Sequence, residues 1–195
     1  MKSKPDETPL VDWKEIARFK PVFVFIGTFL FLYVIGNLAY GWMIESYRPA
    51  ADPFTREVTR ELASCLSWFG FDAVTWETAD HHDIRVFWNN RNVIAVYEGC
   101  NGLNVLIVWW SFLLAIGPRV GRMWWFGLGG SIAIHALNLL RLLLLFAVAV
   151  YWPRQFYFVH KYLFTAFIYF FVFAGWLWWL HLNRTSDAAE PSSED

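Results

Sequence analysis

Four long apolar stretches limit what this chain of 195 residues can fold into. A helix rises 1.5 Å per residue, so about 20 apolar residues cross the hydrocarbon core of a bilayer. The stretches run from Pro21 to Ile44, from near Leu103 to Gly117-Pro118, from Met123 to Trp152 and from Tyr162 to Leu182. The second stretch is short. To cross the membrane, its helix must begin around Gly99 or be partly buried by its neighbours. We therefore predict an all-α integral membrane protein with about four transmembrane helices.

The composition agrees with a membrane environment and disfavours other classes. Hydrophobic residues make up 57% of the chain and charged residues 17%, against roughly 45–50% and about 25% in soluble domains. The thirteen tryptophans suit the boundary between membrane and water. The net charge of −1 offers no basic surface, so we expect the lipid bilayer as a partner and no nucleic acid.

Basic residues near the helix ends predict the orientation, because they favour the cytoplasmic side. They precede the first helix, fill the turn after the second and follow the last: Lys14, Arg18, Lys20, Arg119, Arg122 and Arg184. This predicts a cytoplasmic segment 1–20, a membrane domain 21–182 with outer segment 45–98, and a cytoplasmic, disordered tail 183–195. The first apolar run is too long for a signal peptide, so we expect a permanent helix. The expected location is the inner membrane of the cell.

The outer segment 45–98 carries two patterns of its own. Asp52-Pro53 is typical of a helix start. Apolar residues then recur every three to four positions, at Phe54, Val58, Leu62, Cys65 and Phe69. They predict an amphipathic helix, either on the membrane surface or against the bundle, or a packed helix of an outer domain. Further on, Ile84–Trp88 and Asn92–Tyr97 flank an Asn-containing turn and predict a small β-hairpin.

Three chemically capable side chains are predicted to meet at the outer end of the bundle. Arg141 lies eighteen residues after Met123. That distance is about 27 Å along a helix, which puts Arg141 near the outer boundary. Cys100 leaves the hairpin for the second helix at the same level, and His160 opens the fourth helix there. Ionisable side chains at membrane depth are costly and therefore mark functional candidates.

These residue types suit nucleophilic chemistry. A thiol becomes a nucleophile as a thiolate, which nearby positive charge favours. Cys100 would be the nucleophile, His160 would move protons and Arg141 would stabilise negative charge. Asn138, one turn before Arg141, and Asn104, one turn after Cys100, are candidates to bridge groups of the site or to orient a substrate. Glu98 is a further candidate to orient a substrate.

Structural explanations stay open for each residue. Cys100 could be a small apolar residue or form a disulfide with Cys65, because both face the oxidising side. Arg141 could reach lipid phosphate and His160 could anchor at the interface. His135, in mid-helix, is better explained by a hydrogen bond within the bundle. No Cys/His spacing indicates zinc and no Gly-x-Ser-x-Gly elbow occurs, so we expect no metal and no cofactor.

Three stretches resemble the motifs of the exosortase/archaeosortase family, and most closely its short XrtF subgroup. They are Tyr97–Val105 (YEGCNGLNV), His135–Arg141 (HALNLLR) and His160 before the last helix. The likeness extends from about Tyr40 to the end of the fourth helix. The order and spacing of the three motifs carry it, since each is weak alone.

The resemblance implies a multi-pass cysteine transpeptidase, a thiol protease that sorts exported proteins. Such enzymes process C-terminal sorting signals, made of a short motif, a helix and a basic cluster, near the outer membrane face. Carried over, Cys100 is the nucleophile, Arg141 the positive stabiliser and His160 the proton carrier. Many members have eight spans, so a four-span chain implies a partner subunit or a homo-oligomer.

Two other classes of function remain. A non-catalytic membrane scaffold for export or polymer secretion would leave Cys100 inert or joined to Cys65. A small transporter would use His135, Asn138 and Arg141 on one helix, although the helices lack clear repeat symmetry.

Overall fold

The computed structural model describes residues 19–78, 80–117 and 120–187, without the side chains of residues 120 and 183–187. The two predicted cytoplasmic segments, 1–20 and 183–195, lie mostly outside these ranges. Lys14, Arg18 and Arg119, which contributed to the predicted orientation, lie outside them as well. Helices dominate, in agreement with the predicted class, and one small antiparallel sheet accompanies them.

Five main helices make up the bundle and its outer layer. The bounds are Lys20–Tyr47 for α1, Pro53–Trp68 for α2, Leu103–Ile116 for α3, Val120–Tyr151 for α4 and Phe164–Asp187 for α5. A 3₁₀ turn (Pro153–Gln155), a short α-helical piece (Phe156–Phe158) and a π-helical turn (Val159–Leu163) lead into α5.

Among the described residues, three helical spans are long and apolar enough to cross a membrane, and they indicate a membrane protein. They are Lys20–Tyr47, Gly121–Tyr151 and Pro153–Leu182. α3 has fourteen residues, or about 21 Å, which falls short of the hydrocarbon thickness. It does not begin at Gly99, because a 3₁₀ turn (Glu98–Cys100) and the left-handed backbone of Gly102 precede it. By length and composition, the described residues therefore provide three candidate crossings, and the expected fourth is not confirmed.

Small residues let the helices approach closely inside the bundle. A Cβ atom added at Gly175 of α5 would lie 2.9 Å from the ring of Trp109, and one at Gly130 of α4 would also meet that ring. Packing of small against large residues is the usual way in which membrane helices associate. The buried Trp109 thus joins α3, α4 and α5. By contrast, α1 buries no residue, as suits a helix at the lipid-facing periphery.

The outer segment folds into α2 and a three-stranded antiparallel sheet, in the order β1 (Val74–Glu77), β2 (Ile84–Trp88), β3 (Arg91–Val96). The predicted hairpin is confirmed as β2 and β3. Its two-residue turn, Asn89-Asn90, has positive φ at both positions, as such hairpins require. The prediction omitted β1. This strand has four residues with every side chain exposed, so no apolar alternation marks it in the sequence.

α2 is confirmed as an amphipathic helix, but the predicted apolar face was partly wrong. Asp52 caps it by accepting from the backbone N–H groups of Phe54 (3.0 Å) and Thr55 (3.1 Å). The buried residues are Thr55, Val58, Thr59, Leu62 and Leu66, whereas Phe54 and Phe69 are 48% and 71% exposed. The buried stripe is rotated relative to the predicted one because Thr55 and Thr59 can be buried. The Thr55 hydroxyl is hydrogen-bonded to Asp52, and the Thr59 hydroxyl to the Thr55 carbonyl. Along this stripe α2 packs against α4 and the sheet.

α4 serves both layers of the molecule. Its first part packs in the bundle, while Leu142, Leu145 and Phe146 are buried together with Val86 and Val96 of the sheet. The junction between bundle and sheet therefore lies near residues 138–142.

Candidate active site

Cys100 lies at the junction between the sheet and the bundle. It ends the 3₁₀ turn Glu98–Cys100, which joins β3 to α3, and it is only 2% exposed. Its backbone N–H donates to the Tyr97 carbonyl at 2.7 Å. Gly102 then reverses the chain direction with φ +82°, a conformation that favours glycine.

Asn138 of α4 links the turn to Arg141. It is 1% exposed and its Nδ2 donates to the Cys100 carbonyl at 2.9 Å. Its Oδ1 accepts from Arg141 Nη1 at 3.4 Å. A buried amide that is satisfied at both ends holds its neighbours at a defined separation. Asn138 was predicted to bridge or to orient a substrate, and its contacts in the structure are those of a bridge.

Arg141 and Tyr97 are the side chains that act electrostatically on the Cys100 thiol. Burial raises the pKa of the Cys100 thiol, and the positive charge of Arg141 lowers it by less, so the net shift is upward. The pKa of Tyr97 is raised as well, first by the negative charge of a Cys100 thiolate and then by burial. The resting thiol therefore carries its proton.

His160 borders the same cavity as Cys100. Both residues line a cavity of about 260 Å³ between β3, α4 and the helical start of the last span. His160 belongs to the π-helical turn Val159–Leu163, and its ring stacks on Phe156 with centroids 5.7 Å apart. The charge of Arg141 acts on both the His160 ring and the Cys100 thiol. The structure thus brings together the three residues that the sequence singled out, while their catalytic roles remain predictions.

Two buried nitrogen atoms of this site have no hydrogen-bond partner among the described residues. They are Nε of Arg141 and Nδ1 of His160. Leaving a buried polar group unpaired costs about 1–3 kcal/mol, so such atoms call for an explanation. A substrate carbonyl could accept from Arg141, and a proton-transfer role would use the free nitrogen of His160.

The other predicted residues lie in different surroundings. Asn104 is exposed on the first turn of α3, away from the residues that line the cavity. The Glu98 carboxylate lies 3.8 Å from Nη2 of Arg48. His135 Nε2 lies 2.7 Å from Glu61 Oε2, so it joins α4 to α2, in agreement with the hydrogen-bond interpretation. Cys65 and Cys100 are both free thiols.

A second network, which the sequence analysis did not predict, clamps the turn from the opposite side. Asn101 is 5% exposed, and its Oδ1 accepts from the Leu103 N–H at 3.0 Å. Its Nδ2 donates to the hydroxyls of Tyr40 (2.7 Å) and Thr55 (3.3 Å). Tyr40 in turn donates to the Glu98 carbonyl at 2.8 Å. An asparagine just before a helix is a recognisable capping signal, but its partners on α1 and α2 leave no local trace.

Comparison with known proteins adds no assignment. No family model, no curated protein and no solved structure matches the chain. Among the described residues, no three His, Cys, Asp or Glu side chains are grouped so that they could hold a metal ion. The function must therefore be argued from the geometry of the site and from the resemblance of its motifs.

Proposed function

We propose that the protein is a membrane-embedded cysteine peptidase or transpeptidase of the exosortase type. Its substrate would be an exported protein whose C-terminal sorting signal consists of a short motif, a helix and a basic cluster. One observation carries the proposal: Cys100 and His160 line the same cavity, and the charge of Arg141 acts on both of them. These residues come from three separate elements, so their meeting is not a consequence of local sequence.

The chemistry begins with a protonated thiol, because burial keeps the pKa of Cys100 high. His160 accepts the thiol proton as sulfur attacks the scissile carbonyl carbon. Arg141 stabilises the negative oxygen of the tetrahedral intermediate. Collapse breaks the C–N bond, His160 returns the proton to the leaving amine, and a thioester on Cys100 remains. Water or an acceptor amine then attacks the thioester and restores the thiol.

We also propose that α3 crosses the membrane, which gives four crossings and cytoplasmic ends. α3 runs antiparallel to α1, from Asn101 beside Tyr40 to Phe112 beside Phe25, whose rings are 5.6 Å apart. Midway, a Cβ atom added at Gly36 would lie 2.7 Å from Ile107. Fifteen residues of α1 between Phe25 and Tyr40 correspond to about 22 Å of depth. The 3₁₀ turn lengthens α3 at one end, so the pair together covers most of a bilayer. The site would then face outward from the inner membrane.

The test of the activity compares two cysteine variants in the native host. We expect Cys100→Ala, at unchanged membrane abundance, to leave at least one exported protein with an uncleaved C-terminus, as read by mass spectrometry of C-terminal peptides. Cys65→Ala is the matched control and should process normally, because Cys65 lies on α2 outside the cavity. His160→Ala should slow processing by at least about a hundredfold through loss of proton transfer.

The same experiment can reject the proposal. Identical C-termini in wild type and Cys100→Ala would eliminate the enzyme and favour the non-catalytic scaffold. Retention of a substrate on the wild-type sulfur as a hydroxylamine-sensitive adduct, absent from Cys100→Ala, would separate the enzyme from both a scaffold and a transporter.

A further inference from the structure

β3 is an edge strand that leads directly to Cys100. Among the described strands the order is β1-β2-β3, and β3 pairs with β2 alone. After Val96 the chain continues through Tyr97 into the 3₁₀ turn that ends at Cys100. An edge strand presents unpaired N–H and C=O groups, which can bond to another extended chain.

The cavity at Cys100 extends along this edge. Its lining includes four consecutive residues of β3, Asn92 to Ala95, followed by Tyr97 and Cys100. Successive side chains of a strand point to opposite faces, so one face alone cannot contribute four residues in a row. The backbone edge of β3 therefore borders the cavity. Leu142, Phe156 and His160 also line it.

We propose that the substrate binds as an additional strand on the free edge of β3. This inference rests on the proposed function and specifies how that site holds its peptide. The segment before the scissile bond would pair with Asn92–Ala95, because these residues border the cavity and lead towards the nucleophile. Backbone hydrogen bonds to a sheet edge give affinity that tolerates many side chains.

The direction of the bound strand follows from the two ends of such a substrate. Its exported body lies on the side of the sheet and its C-terminal helix lies in the bilayer. The peptide therefore runs parallel to β3, from the hairpin turn towards Cys100, and presents its scissile carbonyl at the end of the strand. Alternate side chains face Leu142 and Phe156, which favours apolar residues at every second position.

Disulfide cross-linking tests this arrangement in the full-length chain. The variant combines Cys65→Ser, Cys100→Ala and Ala95→Cys, which places one thiol on the exposed Ala95 position of β3. The probe is the exported protein whose processing stops in Cys100→Ala, with single cysteines at successive positions before its cleavage site. We expect cross-links at every second position. The matched control is Val74→Cys on β1, the opposite edge of the sheet, which should give none.

Backbone methylation of a synthetic cleavage-site peptide provides a second measurement on the wild-type chain in lipid nanodiscs. A methyl group on a nitrogen that faces β3 removes a donor and blocks close approach, so kcat/KM should fall at least about tenfold. Methylation at intervening positions should change kcat/KM less than about threefold.

The outcomes separate this inference from the proposed function. Processing that depends on Cys100, together with uniform or absent cross-links at Ala95→Cys and no alternation on methylation, would overturn strand addition alone. Processing that does not depend on Cys100 would overturn both. Cross-links at every second position, together with methylation effects at every second nitrogen, would support both strand addition and the proposed function.

Discussion

Cys100 differs from cysteine nucleophiles that rest as thiolates beside a positive charge. Burial at 2% exposure raises the pKa of the thiol by more than the Arg141 charge lowers it. Attack therefore requires a proton acceptor at the moment of reaction, and His160 lines the same cavity. The protonated resting state also protects the thiol from oxidation, which proceeds through the thiolate.

The pH dependence of alkylation tests this electrostatic balance. In a Cys65→Ser chain, the rate of Cys100 alkylation by iodoacetamide should rise with pH, with a midpoint above the ordinary thiol value of about 8.5. Arg141→Gln removes a charge that lowers the pKa, so the midpoint should move higher still. Arg154→Gln removes an exposed charge outside the cavity and should leave it unchanged. A midpoint below the ordinary value, or one indifferent to Arg141→Gln, would contradict the balance.

At the scale of residues, the sequence was enough to select the candidate reactive side chains, but not all of the residues that hold them in place. Cys100, Arg141 and His160 could be selected because ionisable and nucleophilic side chains are rare at membrane depth. Tyr40 and Asn101 were not selected, because an ordinary tyrosine and asparagine become informative only when α1 and the turn are adjacent. Tyr97 was noted only as part of a motif, and its electrostatic effect on the Cys100 thiol depends on the folded turn.

At the scale of elements, the turn between β3 and α3 positions Cys100, the proposed nucleophile, and Gly102 is the most constrained residue of this turn. A Cβ atom there would lie 3.2 Å from the Asn138 side chain, which is buried and hydrogen-bonded at both ends. Gly70 has the same φ of +82° but no atom within 4 Å of its added Cβ. Comparing alanine variants at the two glycines therefore separates the effect of backbone strain from that of steric contact with Asn138.

We expect Gly70→Ala to lower the free energy of unfolding by about 1–2 kcal/mol through its backbone conformation alone, and to leave substrate processing unchanged. Gly102→Ala should lower the free energy of unfolding by at least as much. It should also slow substrate processing at least about tenfold, because displacement of Asn138 moves the Arg141 guanidinium. Denaturation in detergent and the processing rate measure the two effects. Equal processing rates in the two variants would show that the contact with Asn138 does not position the site.

Local rules predicted the outer elements to different extents. The hairpin could be predicted because two asparagines supply the positive φ values of its turn. β1 could not, because it has no buried face. The start of α2 followed from Asp52-Pro53, but its buried stripe depends on Thr55 and Thr59, whose hydroxyls are hidden by hydrogen bonds that composition does not reveal.

At the scale of the whole molecule, α4 explains why the site lies at a boundary. The helix packs in the bundle over its first part and supports the sheet with Leu142, Leu145 and Phe146. Asn138 and Arg141 lie between these two regions, so the polar residues occupy the level at which apolar packing changes partners. α2 is attached to the same helix through Glu61 and His135. The arrangement could not be read from the sequence, because it depends on which helix extends beyond the bundle.

The number of crossings has a consequence that can be measured at the chain ends. Three crossings place the two ends on opposite sides of the membrane, and four place them on the same side. We expect four, because α3 follows α1 from the level of Tyr40 to that of Phe25. Green fluorescent protein fluoresces only in the cytoplasm. Two separate fusions, one before residue 19 and one after residue 187, should therefore both fluoresce. Alkaline phosphatase inserted at Asn90 of the hairpin turn should be active, since it requires the outer side.

Fluorescence from only one of the two end fusions would mean that α3 is a buried, non-crossing helix. That outcome would leave the shared cavity of Cys100 and His160 and the nearby Arg141 charge unchanged, because these depend on α4 and the last span. It would change which side of the membrane receives the C-terminus, while the proposed active site stays next to the sheet. The fusion at Asn90 therefore decides separately whether the site faces outward, as cleavage of an exported substrate requires.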